Sequence, residues 1–443
     1  MSNTAAMAGS AVGSSAEHLT LMLLYQLVVI LAFSRLVSWI STRFLGQTAV
    51  AGEILAGLLL GPSLIGALFP DLSHALFVPE TRPIFVGLAQ LGLILLMFQI
   101  GMEFQMTPGR GRDGRAVALI SLTGIIIPFA LGYATAPFFW RELGMDPDQG
   151  LLAFRLFFAI AMSITAIPIL GRIFMELGLS HTRTASLVIG SAAIDDICGW
   201  MLLGLVAAIV AANFDMVMFL ARIAGVALFV AVMLALVRPF LSRWVAGRMA
   251  KEGGTLDTTT IAGLLLVLLG AAIITSNLGI FAIIGGFIVG HCLQNDRAFV
   301  AQWKMRVGGL VQVLLLPLFF AYTGLRTDVG SLSASGWGLC ALVCLVAFAG
   351  KFGGAYLACR ALGESHRQAA TIGVAMNTRA LMELIVLNIG YDMGVLPKPM
   401  FSMLVVMAIV STFMATPLIR WLMASERVSP ELTRARLAGL SAE

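Results

Sequence analysis

The stretch that decides the fold runs from residue 183 to residue 212 and reads RTASLVIGSAAIDDICGWMLLGLVAAIVAA. After Arg183, its only charged residues are Asp195 and Asp196. An apolar run of this length is long enough to cross the hydrocarbon core of a bilayer as a helix. Only 12% of the 443 residues are charged, whereas a soluble domain has about 25%. We therefore predict a helical membrane protein, and the composition excludes a soluble enzyme, a nucleic-acid-binding protein and a disordered chain.

Similar apolar stretches recur along the chain and predict an all-α polytopic membrane protein with about thirteen transmembrane helices. The predicted segments are 19–40, 46–68, 84–105, 115–138, 150–176, 183–212, 216–245, 258–276, 278–293, 299–325, 335–361, 366–391 and 397–424. The runs are continuous over roughly 20 residues rather than alternating over about 10, which argues against a transmembrane barrel. This organisation places a transmembrane domain at 19–425, between a short extracytoplasmic segment, 1–18, and a short cytoplasmic tail, 426–443.

Basic residues are concentrated in every second loop, and this bias predicts the topology. The odd-numbered loops and the tail contain Arg43, Arg110, Arg112, Arg115, Arg183, Arg243, Arg248, Lys251, Arg297, Lys304, Arg306, Arg360, Arg367, Arg427, Arg434 and Arg436. The even-numbered loops contain few basic residues. Because cytoplasmic loops carry the excess of Lys and Arg, we expect the N-terminus outside and the C-terminus in the cytoplasm. The expected location is the lipid bilayer of a bacterial inner (plasma) membrane.

The fifth and twelfth segments share an interrupted pattern. Residues 161–170 read AMSITAIPIL and residues 375–384 read AMNTRALMEL, each with a polar break inside an apolar span. The two segments are seven helices apart and would cross in opposite directions, as two inverted six-helix repeats joined by a seventh helix require. Interrupted segments at corresponding positions indicate a transporter's binding site. The alternative is that Pro168 only kinks one helix, while Asn377 and Thr378 hydrogen-bond along the other.

Asp195 and Asp196 are the strongest functional signal. Each Asp at the centre of an inserting helix costs roughly 2.5–3.5 kcal/mol, so a buried carboxylate must be paired, protonated or facing water. Adjacent acids oppose joint ionisation, and such a pair can exchange protons for a dehydrated monovalent cation near neutral pH. Consecutive helical residues point about 100° apart, so we expect one Asp to face the site and the other a partner helix. A fixed salt-bridge network is the structural alternative.

Lys351 lies deep within an apolar segment and is the natural counter-ion for the Asp pair. A Lys–Asp pair that opens when the Asp takes up a proton or a cation would couple the two ligands. The alternative is that Lys351 extends to the cytoplasmic interface. Near the first break, Pro168 frees the carbonyl of Ile164 and Thr165 adds a hydroxyl. Such oxygen atoms are suitable ligands for Na+ or K+.

Three further acids and one base complete the set of candidate residues. Arg379 and Glu383 are spaced to pair on one helix face, and we interpret this pair as neutralising exposed half-helix ends. A direct role in substrate binding is the alternative for the pair. Glu53, in the glycine-rich stretch 52–62, is expected to be a structural hydrogen-bond partner or a proton-binding acid. Glu103 lies at a segment end and is expected to be solvated.

Together these motifs resemble the monovalent cation:proton antiporter-2 family, and the last of them is close to its plant cation/proton exchanger and fungal potassium/proton exchanger branch. The resemblance covers about residues 20–425 and rests on GEILAG at 52–57, SITAIPILGRI at 163–173, the Asp pair, GK at 350–351 and MNTRALMELIVLNIG at 376–390. It implies a thirteen-helix fold with dimerisation and core domains, a homodimer, and broken helices that cross beside the Asp pair. It also implies that Asp196 is the main ion-binding carboxylate, that Lys351 pairs with Asp195, and that Thr165 lines the site.

The predicted function is therefore secondary active transport rather than enzymatic catalysis. The protein would exchange K+ or Na+ for protons by alternating access, with no cofactor. A cation channel or uniporter without proton coupling is the alternative. An intramembrane aspartyl protease is disfavoured because its two carboxylates must face each other from different helices, whereas Asp195 and Asp196 are adjacent and diverge.

Overall fold

The computed structural model describes residues 2–62, 64–103, 112–145, 150–165, 167–210, 215–319, 334–379 and 381–423. These residues form helices and their connections, without a β-strand in the described ranges. Ten helical spans, two of them running across the undescribed residues 63 and 166, are long and apolar enough to cross a membrane: Glu17–Phe44, Ala49–Leu68, Pro79–Glu103, Asp113–Glu142, Leu151–Glu176, Arg183–Val206, Met216–Lys251, Thr258–Asn277, Gly336–Ala361 and Lys398–Met423. The other three predicted segments correspond to a short helix within 282–293, a partly π-helical stretch from residue 297 and a broken helix within 366–392. The all-α membrane fold is thus confirmed, while the count of thirteen stays a prediction.

The first of two compact units combines Met1–Glu103 with Ala221–Ser331. Its helices are α1 (Ser2–Phe44), α2 (Ala49–Leu60), α3 (Ile65–Leu68), α4 (Pro70–Leu76), α5 (Arg82–Glu103), α10 (Met216–Val232), α11 (Arg238–Lys251), α12 (Thr258–Asn277), α13 (Ala282–Leu293) and α14 (Arg297–Trp303). A 3-10 turn, Pro79–Thr81, precedes α5, and π-helical stretches occupy Met233–Val237, Lys304–Gly308 and Val311–Leu315. The first residues of α10 lie before this unit's second part begins.

Glycines allow α5 and α13 to pack backbone against backbone within the first unit. A Cβ atom on Gly290 would lie 2.1 Å from the carbonyl oxygen of Phe98, and one on Gly101 would lie 2.2 Å from that of Phe287. Real side chains cannot approach a carbonyl so closely, so both positions require glycine. Small residues allow such close helix contact in membranes, where packing replaces hydrophobic association.

Glu103, the last residue of α5, is buried rather than solvated. Its Oε1 accepts a hydrogen bond from Gln99 Nε2 at 3.0 Å and pairs with Lys304 Nζ at 3.0 Å. The expectation of a solvated carboxylate was therefore wrong, because an amide and an ammonium from the protein replace water. Glu53 is also buried, in α2.

The start of α12 is set by Asp257, which lies outside the membrane-spanning segments. Its Oδ1 accepts the Thr260 backbone N–H at 3.2 Å, which satisfies one of the donors that a helix N-terminus leaves unpaired. Asp257 also accepts a bond from the Thr260 hydroxyl and one from Arg248 Nη2 at 2.7 Å. The hydroxyl bond is the largest of the effects that lower the pKa of Asp257 to about 2, and Arg248 adds to it.

The second unit combines Phe104–Leu220 with Leu332–Glu443 and shows one arrangement twice. Its first part contains a long helix, α6 (Arg112–Glu142), a broken helix, α7 (Leu151–Ser163) and α8 (Ile167–Glu176), and a second long helix, α9 (Arg183–Val210). Its second part repeats this order as α15 (Ala334–Ala361), α16 (His366–Met376) with α17 (Leu381–Asp392), and α18 (Lys398–Met423). Both predicted breaks are therefore present, at corresponding places in the two parts.

Within the second unit, α15 packs closely against α6 through two glycines one helical turn apart. A Cβ atom on Gly350 would lie 2.9 Å from Pro128 Cα, and one on Gly354 would lie 2.6 Å from the Thr123 carbonyl oxygen. This spacing is the small-residue pattern that brings membrane helices together. Because Lys351 follows Gly350 directly, the contact also carries the lysine towards α6.

We predict that Gly354→Ala destabilises the protein by about 1–3 kcal/mol, because the new methyl group would overlap a backbone carbonyl that cannot move freely. Gly353→Ala is the matched control, since a Cβ atom there would meet nothing within 4 Å. It should be neutral or stabilising by up to about 1 kcal/mol, as expected for alanine in a helix. Unfolding in detergent measures both changes. Equal effects of the two substitutions would contradict the close contact.

Candidate functional site

Lys351 is wholly buried, and its ammonium group makes three hydrogen bonds. Its Nζ donates to Asp195 Oδ2 at 2.8 Å, to the Ser163 carbonyl at 2.5 Å and to the Gly124 carbonyl at 2.7 Å. An ammonium group has three donors, so each is used. The lysine therefore does not extend to the membrane interface. The pairing with Asp195 has the geometry that the family resemblance implied.

Asp195 is held by donors from three different places in the second unit. Besides Lys351, Thr165 Oγ1 donates to its Oδ2 at 2.9 Å, and Ser121 Oγ in α6 donates to its Oδ1 at 2.6 Å. Sequence reasoning missed Ser121, because a hydroxyl in an apolar helix commonly bonds to its own backbone. Thr123, two residues later, does so through the Leu119 carbonyl. Both oxygens of Asp195 are thus occupied by protein donors.

Asp196 differs from its neighbour in having no such partners. Its side chain is completely buried, and neither carboxylate oxygen has a hydrogen-bond partner among the described residues. A buried carboxylate without a partner is costly, and a proton or a cation removes that cost. The helical turn of about 100° between consecutive residues explains how one Asp can be saturated while the other is not.

Arg379 is buried beside the first break, where it caps the end of α7. Its Nη1 donates to the Ala161 carbonyl at 2.5 Å and its Nη2 to the Met162 carbonyl at 2.6 Å. With Lys351 on the Ser163 carbonyl, two cations bind the last three carbonyls of α7. Positive charge at a helix C-terminus interacts favourably with the partial negative charge at that end of the helix dipole. At these three positions the freed carbonyls therefore bind side chains of the protein itself rather than an external cation.

Two further groups hold Arg379. Its Nη1 lies 3.6 Å from Oε2 of Glu383, and both side chains are fully buried. Its backbone is tied to α18, because the Thr412 hydroxyl accepts from the Arg379 N–H at 3.3 Å and donates to the Arg379 carbonyl at 2.5 Å. This arrangement favours the structural interpretation of the Arg379–Glu383 pair. Thr412 carried no signal in the sequence that would have identified it.

Thr165 lies between the two breaks: its Oγ1, which donates to Asp195, is also 3.3 Å from the Met376 carbonyl oxygen. Beside it, the Asn377 amide oxygen and the Thr378 hydroxyl are buried without a hydrogen-bond partner in the described part of the chain. Pro168 is the second residue of α8, a position where its missing N–H leaves no bond unmade. The break therefore precedes Pro168.

All predicted site residues except Glu53 belong to the second unit. Glu53 belongs to the first, and its predicted role stays a prediction. The family described as "Sodium/hydrogen exchanger, transmembrane" matches residues 28–425. The chain belongs to this family.

Individual relatives of the chain agree with that assignment. The chain is 36% identical over 401 residues to the Na(+)/H(+) antiporter NhaS4 of Synechocystis sp., covering 90% of the chain and 96% of the relative. It is 35% identical over 396 residues to Cation/H(+) antiporter 18 of Arabidopsis thaliana, covering 89% of the chain but only 48% of that relative. The chain thus spans about half the length of the plant protein.

A solved structure provides an independent comparison of the fold. The sodium proton antiporter MjNhaP1 from Methanocaldococcus jannaschii aligns with a TM-score of 0.58 and 16% identity, covering 92% of the chain and 97% of that structure. At this identity the match supports the fold alone. Together with the family match, this makes the chain a multi-pass integral membrane protein, and its resemblance to the monovalent cation:proton antiporters is confirmed.

We predict that Arg379→Met destabilises the protein by about 3–5 kcal/mol, because it leaves Glu383 buried without its cation. The double variant Arg379→Met/Glu383→Gln should recover part of this loss, since it removes the unpaired charge. Asp113→Asn is the control: it removes an exposed partner of Arg183 and should change stability by less than about 1 kcal/mol. Unfolding in detergent measures all three variants. A loss in Arg379→Met no larger than in the control would contradict the role of Arg379.

Proposed function

We propose that the protein is a secondary active transporter that exchanges a monovalent cation, K+ or Na+, for protons across the membrane. Family membership supports this, as do the names of the relatives, one a Na(+)/H(+) antiporter and the other a cation/H(+) antiporter. The proposed exchange needs no covalent chemistry and no cofactor. We also propose a homodimer in a bacterial inner membrane, with the N-terminus outside and the C-terminus cytoplasmic.

The observation that carries the proposal is the buried, unpartnered carboxylate of Asp196. A charged group in this environment must be neutralised, and a proton and a cation are alternative ways to do so. Both ligands compete for the same oxygens, so binding one releases the other. Competition at one carboxylate gives coupled exchange, which separate sites would not require.

Asp195, Lys351 and Thr165 complete the proposed ion site. The Asp195 carboxylate lies next in sequence to Asp196, and it is neutralised by the Lys351 ammonium at 2.8 Å. A cation that binds Asp196 draws Asp195 away from Lys351, which adds a second ligand and opens the ion pair. Thr165 contributes its hydroxyl to the same site. This coupling connects cation binding to the contacts that join α6, α9 and α15.

Alternating access follows from the cost of an empty site. An ionised Asp196 without a ligand is unfavourable in a low-dielectric interior, whereas the protonated and cation-bound forms are close to neutral. Movement of the site between the two sides is therefore favoured only when the site is loaded. A channel lacks this requirement, because its ions pass through a continuous hydrated path.

The first test is exchange in proteoliposomes. We predict that K+ or Na+ dissipates an imposed pH gradient and that Asp196→Asn abolishes this, because an amide cannot exchange a proton for a cation. Asp392→Asn, at the exposed end of α17, is the control and should retain exchange. Full exchange by Asp196→Asn would exclude the proposed site. Cation flux without counter-flow of protons would favour the channel or uniporter.

The second test concerns pH. If one proton is displaced by each cation, mass action predicts that the apparent KM for the cation rises by up to about tenfold per unit decrease in pH. The maximal rate at saturating cation should change much less. Initial rates at several pH values, measured with K+ and with Na+, provide the comparison. A KM independent of pH would show that proton and cation use separate sites.

A further inference from the structure

Helix α6 contains two prolines in its interior, Pro128 and Pro137. Proline has no backbone N–H, so the carbonyl four residues earlier loses its helical hydrogen bond. The carbonyls freed in this way belong to Gly124 and Tyr133. Each is a strong acceptor in a part of the protein where water is scarce.

Both freed carbonyls accept a hydrogen bond from a cationic side chain of another helix. Gly124 O binds Lys351 Nζ at 2.7 Å, and Tyr133 O binds Arg155 Nε at 3.2 Å. The Arg155 guanidinium also lies 3.8 Å from the centre of the Tyr133 ring. The same device therefore occurs twice in α6, and only the Gly124 carbonyl belongs to the candidate ion site.

The surroundings of Gly124 bring the lysine to this carbonyl. Gly350 packs on Pro128 itself, where a Cβ atom would lie 2.9 Å from Pro128 Cα. A Cβ atom on Gly124 would lie 3.8 Å from both Lys351 Nζ and Asp195 Oδ2, so the glycine borders the ion pair directly. The proline thus frees the acceptor, and Gly350 lets the next residue, Lys351, reach it.

We propose that Pro128 is a positioning residue for Lys351, and that it acts by keeping the Gly124 carbonyl available to the lysine. The consequence for transport rests on the proposed function. When a cation draws Asp195 away, Lys351 retains two carbonyl acceptors, on Ser163 and Gly124. The ammonium then stays hydrogen-bonded in the interior while the ion pair is open. With an N–H at position 128, the Gly124 carbonyl would be directed along the helix towards that N–H, and Lys351 would depend more strongly on Asp195.

The transport test compares Pro128→Ala with Pro137→Ala, which makes the same change in the same helix but affects Arg155 instead. Pro128→Ala should raise the apparent KM for K+ or Na+ about tenfold, as expected for one hydrogen bond to a charged group, with little change in maximal rate. Pro137→Ala should change neither. An unchanged KM in Pro128→Ala, or equal changes in both variants, would overturn the proposal. Absence of exchange by the unmodified protein would instead overturn the proposed function.

A stability test decides the inference without transport. Pro128→Ala is introduced into the unmodified protein and into Lys351→Met. In Lys351→Met the Gly124 carbonyl has lost its lysine, and the N–H introduced at position 128 gives it a new hydrogen-bond partner. With Lys351 present, the same N–H only takes the place of the lysine as the partner of that carbonyl. The rise in melting temperature should therefore be larger in Lys351→Met, by on the order of a few degrees. Pro137→Ala should have equal effects in both backgrounds. Equal effects of Pro128→Ala would overturn the proposal.

Discussion

The buried ion pair between Lys351 and Asp195 is the interaction on which the arrangement of the second unit depends. Two charges in a low-dielectric interior are tolerated only when their remaining hydrogen-bonding groups are also satisfied. A regular helix offers no free carbonyls in its interior, so the acceptors must come from irregularities. The break after Ser163 supplies one acceptor, and Pro128 supplies another by freeing Gly124. Local departures from ideal helix geometry are therefore what allows a charged site inside the membrane.

The two parts of the second unit have the same order of helices but opposite electrostatic roles. The first, α6 to α9, supplies the acceptors: the carbonyls of α7, the Gly124 carbonyl and Asp195. The second, α15 to α18, supplies the cations Lys351 and Arg379. The two buried cations of the second part thus bind to acceptors of the first. A similar order of helices, present twice, therefore provides both halves of one network, because the two parts place different charged residues at the site.

Much of this architecture could be predicted from the sequence. The length of the apolar runs and the polar residues that interrupt them identified the broken segments and the Asp pair, because both are local patterns in the sequence. The partner of Lys351 followed from the family resemblance. Ser121 and Thr412 were missed because a hydroxyl in an apolar helix more commonly bonds to its own backbone, and only packing reveals its acceptor. The burial of Glu103 was also not predicted, because its partner Lys304 is distant in sequence and only packing brings the two together.

The types of the two buried cations match the acceptors that they bind. Arg379 bonds to the carbonyls of Ala161 and Met162, two consecutive residues of one helix end, and its planar fork suits such a paired arrangement. Lys351 bonds to three acceptors on three separate elements, which a compact ammonium with three rotatable donors can reach. Arginine cannot leave one of its carbonyls without losing the planar match. Lysine can release Asp195 and keep its other two bonds. The Arg379 guanidinium therefore holds the end of α7 in place, and the Lys351 ammonium allows its ion pair with Asp195 to open.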